Sequence, residues 1–475
     1  MENKRLVIHS RQDIIDFVST NPVSQKGMLI VLVALGGIIL DAYDLTSLGI
    51  GVNQLTEDFH LSPTQLGSLT SVMAVGALLG ALFGGMVTDK LGRNKMFLVD
   101  ILLLVVAAFG AALAPNLAVL VFFRFLLGVG IGLDVPIALS FIAEITNTKR
   151  RGQLVNLWSP VWYIATAFAG LLLLPIYLFG IDENLWRYAV GFGGVLALIV
   201  LFLRFKFMDE SPIWAAKHLP LQQAAKIVER TYNIEVVVQE LKQKVIKKDE
   251  KVALSTLFSK KYRMRTLSAS ILAATESMEY FAVMFYLPTI SMLIFGKGTI
   301  YGIIGTVVFN CCGILGGLFQ SYLTGKVGIR KLAIIGYSIV CIALLTVGLL
   351  GKSLPTILVA ILIGGFIFGH AFGPGAQCMT MATLSYPTEL RGLGSGWGQA
   401  MLRVGSIIGA FVFPMVLALA GLEKTLLVVL IAPIIGLIAV SLIKWDPTNM
   451  NLDSDTETDF PSKNIHSTQS ELNVR

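Results

Sequence analysis

Residues 85–95 read Gly85-Met86-Val87-Thr88-Asp89-Lys90-Leu91-Gly92-Arg93-Asn94-Lys95, a short charged hinge between two apolar runs. A degraded copy, Gly325-Lys326-Val327-Gly328-Ile329-Arg330-Lys331, stands about 240 residues further on, again between apolar runs. A second pair of echoes has nearly the same spacing. One apolar run leaves through Glu144 to Arg151-Gly152, and a later one through Pro387-Thr388-Glu389-Leu390-Arg391-Gly392. Repetition at a shared offset indicates a duplicated unit, and duplicated halves with a site between them are a transporter architecture.

Composition supports that reading. The chain has 475 residues, 55% apolar and only 14% charged, against roughly 25% charged in a soluble domain. Its apolar residues suffice for twelve membrane helices of roughly 20 residues each. The hydropathy pattern places spans at 27–50, 64–87, 96–114, 117–140, 153–178, 187–207, 264–291, 300–322, 332–350, 354–384, 393–418 and 422–444. The expected fold class is an all-α polytopic membrane protein with twelve transmembrane helices in two pseudo-symmetric six-helix bundles. This excludes a secreted enzyme, a fibrous chain and a nucleic-acid-binding domain, although the net charge is +7.

The charge has another use. With both termini inside, only Arg187, Lys297, Lys352 and Lys424 of the 37 Lys and Arg face outward, and Arg124 and Arg403 fall within spans. The rest lie on the cytoplasmic side, so the basic balance is a topology code. The organisation read from the sequence is a cytoplasmic N-terminal segment (1–26), a six-helix bundle (27–207), a cytoplasmic central loop (208–263), a second bundle (264–445) and a disordered cytoplasmic tail (446–475). No cleavable signal peptide precedes the first span. Within the central loop, Leu221 to Lys248 has helical apolar spacing through Ala225, Ile227, Val228, Tyr232, Val237, Leu241 and Val245. Cys311, Cys312, Cys341 and Cys378 lie in apolar segments without metal or redox spacing and read as small core residues.

The 85–95 hinge resembles the loop 2–3 motif of the major facilitator superfamily: Asp89 and Arg93 match its pattern, while Lys90 and Asn94 depart from it. Asp209-Glu210-Ser211-Pro212-Ile213-Trp214 and Pro387-Thr388-Glu389-Leu390-Arg391-Gly392 are similar to signatures of its sugar-porter and metabolite:proton symporter branch. The resemblance implies the major facilitator fold, no enzymatic activity, and an inner gate at these loops. Asp89, Arg93, Asp134, Glu144, Arg151, Glu210, Glu389 and Arg391 are the gating candidates. Glu144, Glu210 and Glu389 are available partners for Arg93, Arg151 and Arg391. Topology and turn formation alone would account for the same residues.

Ionisable residues inside spans each cost at least ~2.5–3.5 kcal/mol at the membrane centre unless paired or wet. Those read from the sequence are Asp41, Asp44, Arg124, Asp134, Glu276, Glu279, His370 and Arg403. In the resembled fold, spans 1, 4, 7 and 10 line the cavity, and all of these except Arg403 fall on them. Asp44 lies about 9 Å and Arg124 about 10 Å from the outer end of their spans, so the two are level. Asp41 is one turn deeper, within reach of Arg124. The resemblance implies that Asp44 carries the coupling proton, with Arg124 as partner and Asp41 assisting. A permanent structural ion pair is the alternative.

Asp134, roughly 26 Å down its span, falls near the cytoplasm. Gly132-Leu133-Asp134-Val135-Pro136 resembles a phosphate:proton symporter stretch, but Leu133 and Val135 interrupt that pattern. Arg403 lies near the midplane, where its guanidinium fork suits a carboxylate; it could equally neutralise Glu276 or Glu279. His370 reads as a proton relay or a satisfied core histidine. Trp162, Tyr280 and Trp397 are the expected walls of the substrate site.

The reading that follows is proton-coupled symport of a small polar metabolite by alternating access, leaning to an aromatic or other organic carboxylate. A sugar or polyol:proton symporter, and a transporter-like substrate sensor, are the alternatives. The expected partners are a small-molecule substrate and the lipid bilayer of the plasma or inner membrane, with the chain monomeric. No cofactor or metal is expected, the proton serving as coupling ion.

Overall fold

The computed structural model describes residues 5–147, 150–180, 184–239, 253–386, 388–448 and 450; within them, the side chains of 83, 85, 86, 89, 90, 152, 388, 389 and 391 lie outside the description. The gating candidates Asp89, Glu389 and Arg391 belong to that group.

Twelve spans form from the apolar runs. The first is broken at Leu35 into Gln25–Ala34 and Gly36–Ile50, followed by Pro63–Leu91, Arg93–Ala112, Leu117–Ile145, Trp158–Leu178 and Leu185–Phe207. The seventh, Arg263–Met284 with Leu287–Phe295, bends by 50°. Thr299–Val327 and Ile329–Leu350 follow, and the tenth is split by Gly373 into Thr356–Phe372 and Pro374–Leu384. The helix Thr388–Val429 contains the last break that separates spans: Gly421 has φ 76°, so 388–420 is the eleventh span, and the twelfth continues to Leu442. Pro inside an apolar run and Gly in the left-handed region are the usual causes of such breaks.

Outward faces carry apolar rows at helical spacing. Val99, Leu102 and Val106 are each more than half exposed, and such rows suit lipid rather than water. Within the first half, the second, third and fourth spans pack together and the sixth closes on the third and first; in the second half, the seventh packs on the eleventh and twelfth and the tenth on the eighth and ninth. The halves meet along two seams, second against eleventh and fifth against eighth.

The hinges are related by pseudo-symmetry. Gly92 (φ 93°) and Gly328 (φ 98°) each join two spans. Glu210 accepts from the backbone N–H of Arg93 at 2.8 Å and of Asn94 at 3.2 Å. In the second half Asp446 accepts from Arg330 N–H at 3.2 Å. Each carboxylate thus caps the helix N-terminus after its hinge glycine. From Gly92 to Gly328 and from Glu210 to Asp446 the offset is 236 residues in both cases.

One expectation needs correction. The helix begun at Leu221 stops at Tyr232, because Asn233 takes a left-handed conformation (φ 54°). The β-branched stretch that follows becomes a strand, β2 (Glu235–Val238), so Val237 is not helical; Leu241 and Val245 lie outside the described residues. Its partner is β1 (Arg5–Ile8), paired parallel from Arg5↔Glu235 to Ile8↔Val238. The N-terminal segment and the central loop therefore build one small unit. Ile8, Ile14, Val18, Ala215, Val228 and Tyr232 form its core. Tyr232 Oη donates to the Ile145 carbonyl at 3.0 Å and Ser24 Oγ to that of Thr231 at 2.9 Å, tying the unit to the first half.

Candidate functional site

A cavity of about 50 Å³ lies between the halves, lined by residues of the first, fourth, fifth, seventh, tenth and eleventh spans. Small-molecule sites usually have roughly 300–1,000 Å³. A void this size takes water, and a metabolite requires the halves to part.

Asp41 reaches this cavity from the first span and Arg403 from the eleventh. Arg403 Nη2 donates to Asp41 Oδ2 at 3.0 Å, so the pair bridges the two halves. Both side chains are nearly inaccessible. Asp41 Oδ1 and the Nε and Nη1 groups of Arg403 have no hydrogen-bond partner among the described residues. The expectation that Asp41 lies within reach of Arg124 is corrected, because Asp41 faces the seam with Arg403 opposite; Arg403 gives its hydrogen bond to Asp41 while its charge also faces Glu276.

Asp44, one helical turn on, faces away from the cavity into the first half, where Arg124 Nη1 donates to its Oδ2. A separate void of about 20 Å³, walled by Leu40, Leu104, Leu127 and Ile131 among others, touches Asp44. The two aspartates of the first span therefore serve different partners. Asp44 is paired within one half, and Asp41 is paired across both.

Glu276 and Glu279 project from the seventh span towards His370 of the tenth. His370 Nδ1 lies 3.1 Å from Glu279 Oε1, and Nε2 lies 3.6 Å from Glu276 Oε2. The Tyr280 ring stacks on His370 at 4.4 Å between centroids. Tyr280 Oη accepts from Trp162 Nε1, a bond between fifth and seventh spans and so between halves. Trp162 and Tyr280 both line the cavity, together with Trp158, Tyr163 and Phe281. Trp397 does not. Its indole donates to Ser270 Oγ at 2.7 Å and packs edge-on against Phe258, away from the cavity, because its face of the eleventh span meets the loop before the seventh.

Of the gating candidates, Arg93, Glu144 and Glu210 fasten one end of the first half. Arg93 Nη2 donates to Glu144 Oε1 at 2.9 Å, while Glu210 accepts from the backbone N–H of Arg93. The partners described for Arg93 lie in its own half. Arg151 begins the short helix Arg151–Val155. Asp134, expected at the inner gate, is fully buried and accepts from Arg204 Nη2 at 2.5 Å. Arg204 also donates to Asp100 Oδ1 at 3.0 Å, and its guanidinium covers the Phe97 ring. Depth along the spans does not reveal this triad. Arg204 stands near a span end, where a basic residue reads as cytoplasmic, and Asp100 is a single acid interrupting an apolar run.

Other polar contacts missed from sequence cross between the halves. Thr166 Oγ1 donates to Asn310 Oδ1 at 2.6 Å, and Thr380 Oγ1 donates to Asn156 Oδ1. Gln399 of the eleventh span adds an amide to the cavity wall. A polar residue in the middle of an apolar run is the signal that could have found them.

The geometry is that of duplicated bundles closed over a charged central cavity, and residues 29–442 match the family model described as sugar (and other) transporter. The chain belongs to that family. It is a multi-pass membrane transporter of the major facilitator superfamily and its sugar-porter branch, not an enzyme. It is 28% identical to the inner membrane metabolite transport protein YgcS of Escherichia coli, over 94% of this chain and 97% of that one. It is 24% identical to the niacin transporter NiaP of Acinetobacter baylyi, over 84% and 89%. Its fold is similar to that of the proton:xylose symporter XylE bound to a bromodeoxyglucose, with TM-score 0.69 and 19% identity over 90% of this chain and 98% of that one.

Proposed function

We propose that this transporter carries a small organic carboxylate, an aromatic one above all, in symport with protons into the cytoplasm across the plasma or inner membrane. The observation that carries the proposal is the Asp41–Arg403 pair. Arg403 is a guanidinium at the closed seam whose present partner is another carboxylate, with N–H groups to spare beside Trp162, Tyr280 and Phe281. A substrate carboxylate can replace Asp41 on that fork and set its ring against those walls. The likeness to a niacin transporter, whose named cargo is an aromatic carboxylate, supports the same class.

Coupling follows from the first span. Asp41 and Asp44 sit on neighbouring turns, so a substrate that displaces Asp41 from Arg403 moves the segment that also holds Asp44 against Arg124. Asp44 is the coupling carboxylate of this cycle, and Arg124 is the cation it leaves when it binds the proton. Proton binding and cavity opening then become one event. The likeness to a proton:xylose symporter supports a proton-coupled cycle.

A sugar or polyol as cargo is the second reading, favoured by the family description and by that structural likeness. Thermal stabilisation of the purified chain separates them, because a ligand stabilises the state it binds. Nicotinate and benzoate should raise the melting temperature while xylose and arabinose should not, and the reverse ranking would favour the sugar reading.

A further inference from the structure

The cluster on the seventh and tenth spans has no part in the Asp44–Arg124 coupling and points to a function of its own. Glu276, Glu279 and His370 are each at most 3% exposed. His370 stands between the two carboxylates, 3.1 Å from Glu279 and 3.6 Å from Glu276. The groups facing them are Arg403 from the eleventh span, Asp41 from the first, Tyr163 from the fifth, Tyr337 and Cys341 from the ninth, Cys378 from the tenth and their own neighbour Tyr280. Only Arg403 among these is a fixed cation, and Asp41 holds it at 3.0 Å.

Two carboxylates and one imidazole are therefore left to balance themselves inside the protein. An uncompensated buried charge is strongly unfavourable. Neutrality is reached when the cluster holds two protons, either one on each carboxyl, or one on a carboxyl and one making the imidazole cationic. Glu279 Oε2 has no hydrogen-bond partner among the described residues, which leaves an oxygen on which a proton can reside. Glu276 and His370 line the cavity, whereas Glu279 lies behind them. The three form a short path from the cavity inward.

We propose that Glu276, His370 and Glu279 form a second proton-binding site in the C-terminal half, separate from Asp44. It holds its protons while the halves are closed and exchanges one with water when the cavity opens. The proton leaves to water from the cavity-lining pair, Glu276 and His370, while the cavity is open to one side; Glu279 shares its remaining proton with them through Nδ1 of the imidazole, and one proton from water reloads the cluster when the cavity opens to the other side. Each turnover then moves one proton more than Asp44 alone would carry. The site does not depend on which substrate is transported.

Infrared difference spectra of the full chain in liposomes, recorded across a pH series with no substrate, test this by reading the C=O stretch of protonated carboxyl groups. Asp100 and Asp134 share one arginine and contribute a band of their own, so the assignment rests on differences between variants. A protonated-carboxyl band is expected at neutral pH. It should weaken in both Glu276→Gln and Glu279→Gln if each carboxyl holds a proton, in only one of them if the imidazole holds the second, and persist in Asp44→Asn in either case. His370→Gln keeps both carboxyls and should shift the pH midpoint of the same band, which serves if either Gln variant fails to fold. A band missing at neutral pH, unchanged in both Gln variants and in His370→Gln, or abolished by Asp44→Asn alone would overturn the proposal. The last outcome would move the protons to Asp44 and leave the coupling reading intact.

Discussion

Asp41 and Arg403 stand 362 residues apart in the chain and meet at 3.0 Å between the two halves. A substrate that separates the halves must break this contact, and a carboxylate can offer Arg403 a replacement for what it loses.

Arg403→Gln replaces the guanidinium fork by a neutral amide and removes the equivalent of one charge-assisted hydrogen bond to a substrate carboxylate, worth about 1.5–3 kcal/mol. Binding of the favoured carboxylate should weaken roughly 10- to 100-fold. Asp41→Asn removes the competitor and should tighten it. Isothermal titration of both variants checks the opposite signs; weakening in both would mean that the pair is structural.

Arg204 holds two buried carboxylates, Asp100 at 3.0 Å and Asp134 at 2.5 Å. Removing one partner of a buried pair costs about 3–5 kcal/mol. Arg204→Met should therefore reduce folded protein sharply in size-exclusion profiles and lower the melting temperature, more than Arg93→Met, whose ion pair with Glu144 is less completely buried.

A Cβ at Gly92 would come within 2.3 Å of Glu210 Oε2, and the residue has φ 93°. The strain of that conformation alone is about 1–3 kcal/mol. Gly92→Ala should melt lower than Gly365→Ala, where a Cβ meets nothing within 4 Å. Gly328→Ala, facing Asp446 Oδ2 at 2.7 Å, should behave like Gly92→Ala because the hinges are related by symmetry.

Burial holds the Glu210 carboxyl above its usual range and outweighs the N–H groups of Ser211, Arg93 and Asn94 that favour the anion. An acid whose folded pKa exceeds its unfolded one binds more protons when folded. Its contribution to stability is greatest on the acid side and falls as pH rises from the unfolded value through the raised one. Glu210→Gln should flatten that decline in a pH series of melting temperatures, and an unchanged slope would assign it to other groups.

Much of this architecture is legible in the sequence because lipid makes apolar length and charge placement decisive. The hinge at 85–95 and its echo report a duplication that the structure sharpens into two glycine hinges capped by Glu210 and Asp446. The level placement of Asp44 and Arg124 matches an observed contact because depth along a span can be counted. Rotation about the helix axis cannot be counted so simply, and depth alone therefore points Asp41 at Arg124 and Trp397 at the cavity. Strand β2 escaped notice for another reason: its partner lies 230 residues upstream at Arg5–Ile8, beyond any local periodicity.

The central claim, that Asp44 couples a proton to transport, is tested most directly in proteoliposomes loaded with the carboxylate that stabilises the chain best. Wild type should accumulate it against its gradient under an imposed proton gradient and also exchange it in counterflow. Asp44→Asn should keep counterflow and lose accumulation. Accumulation at the wild-type level in Asp44→Asn would contradict the account.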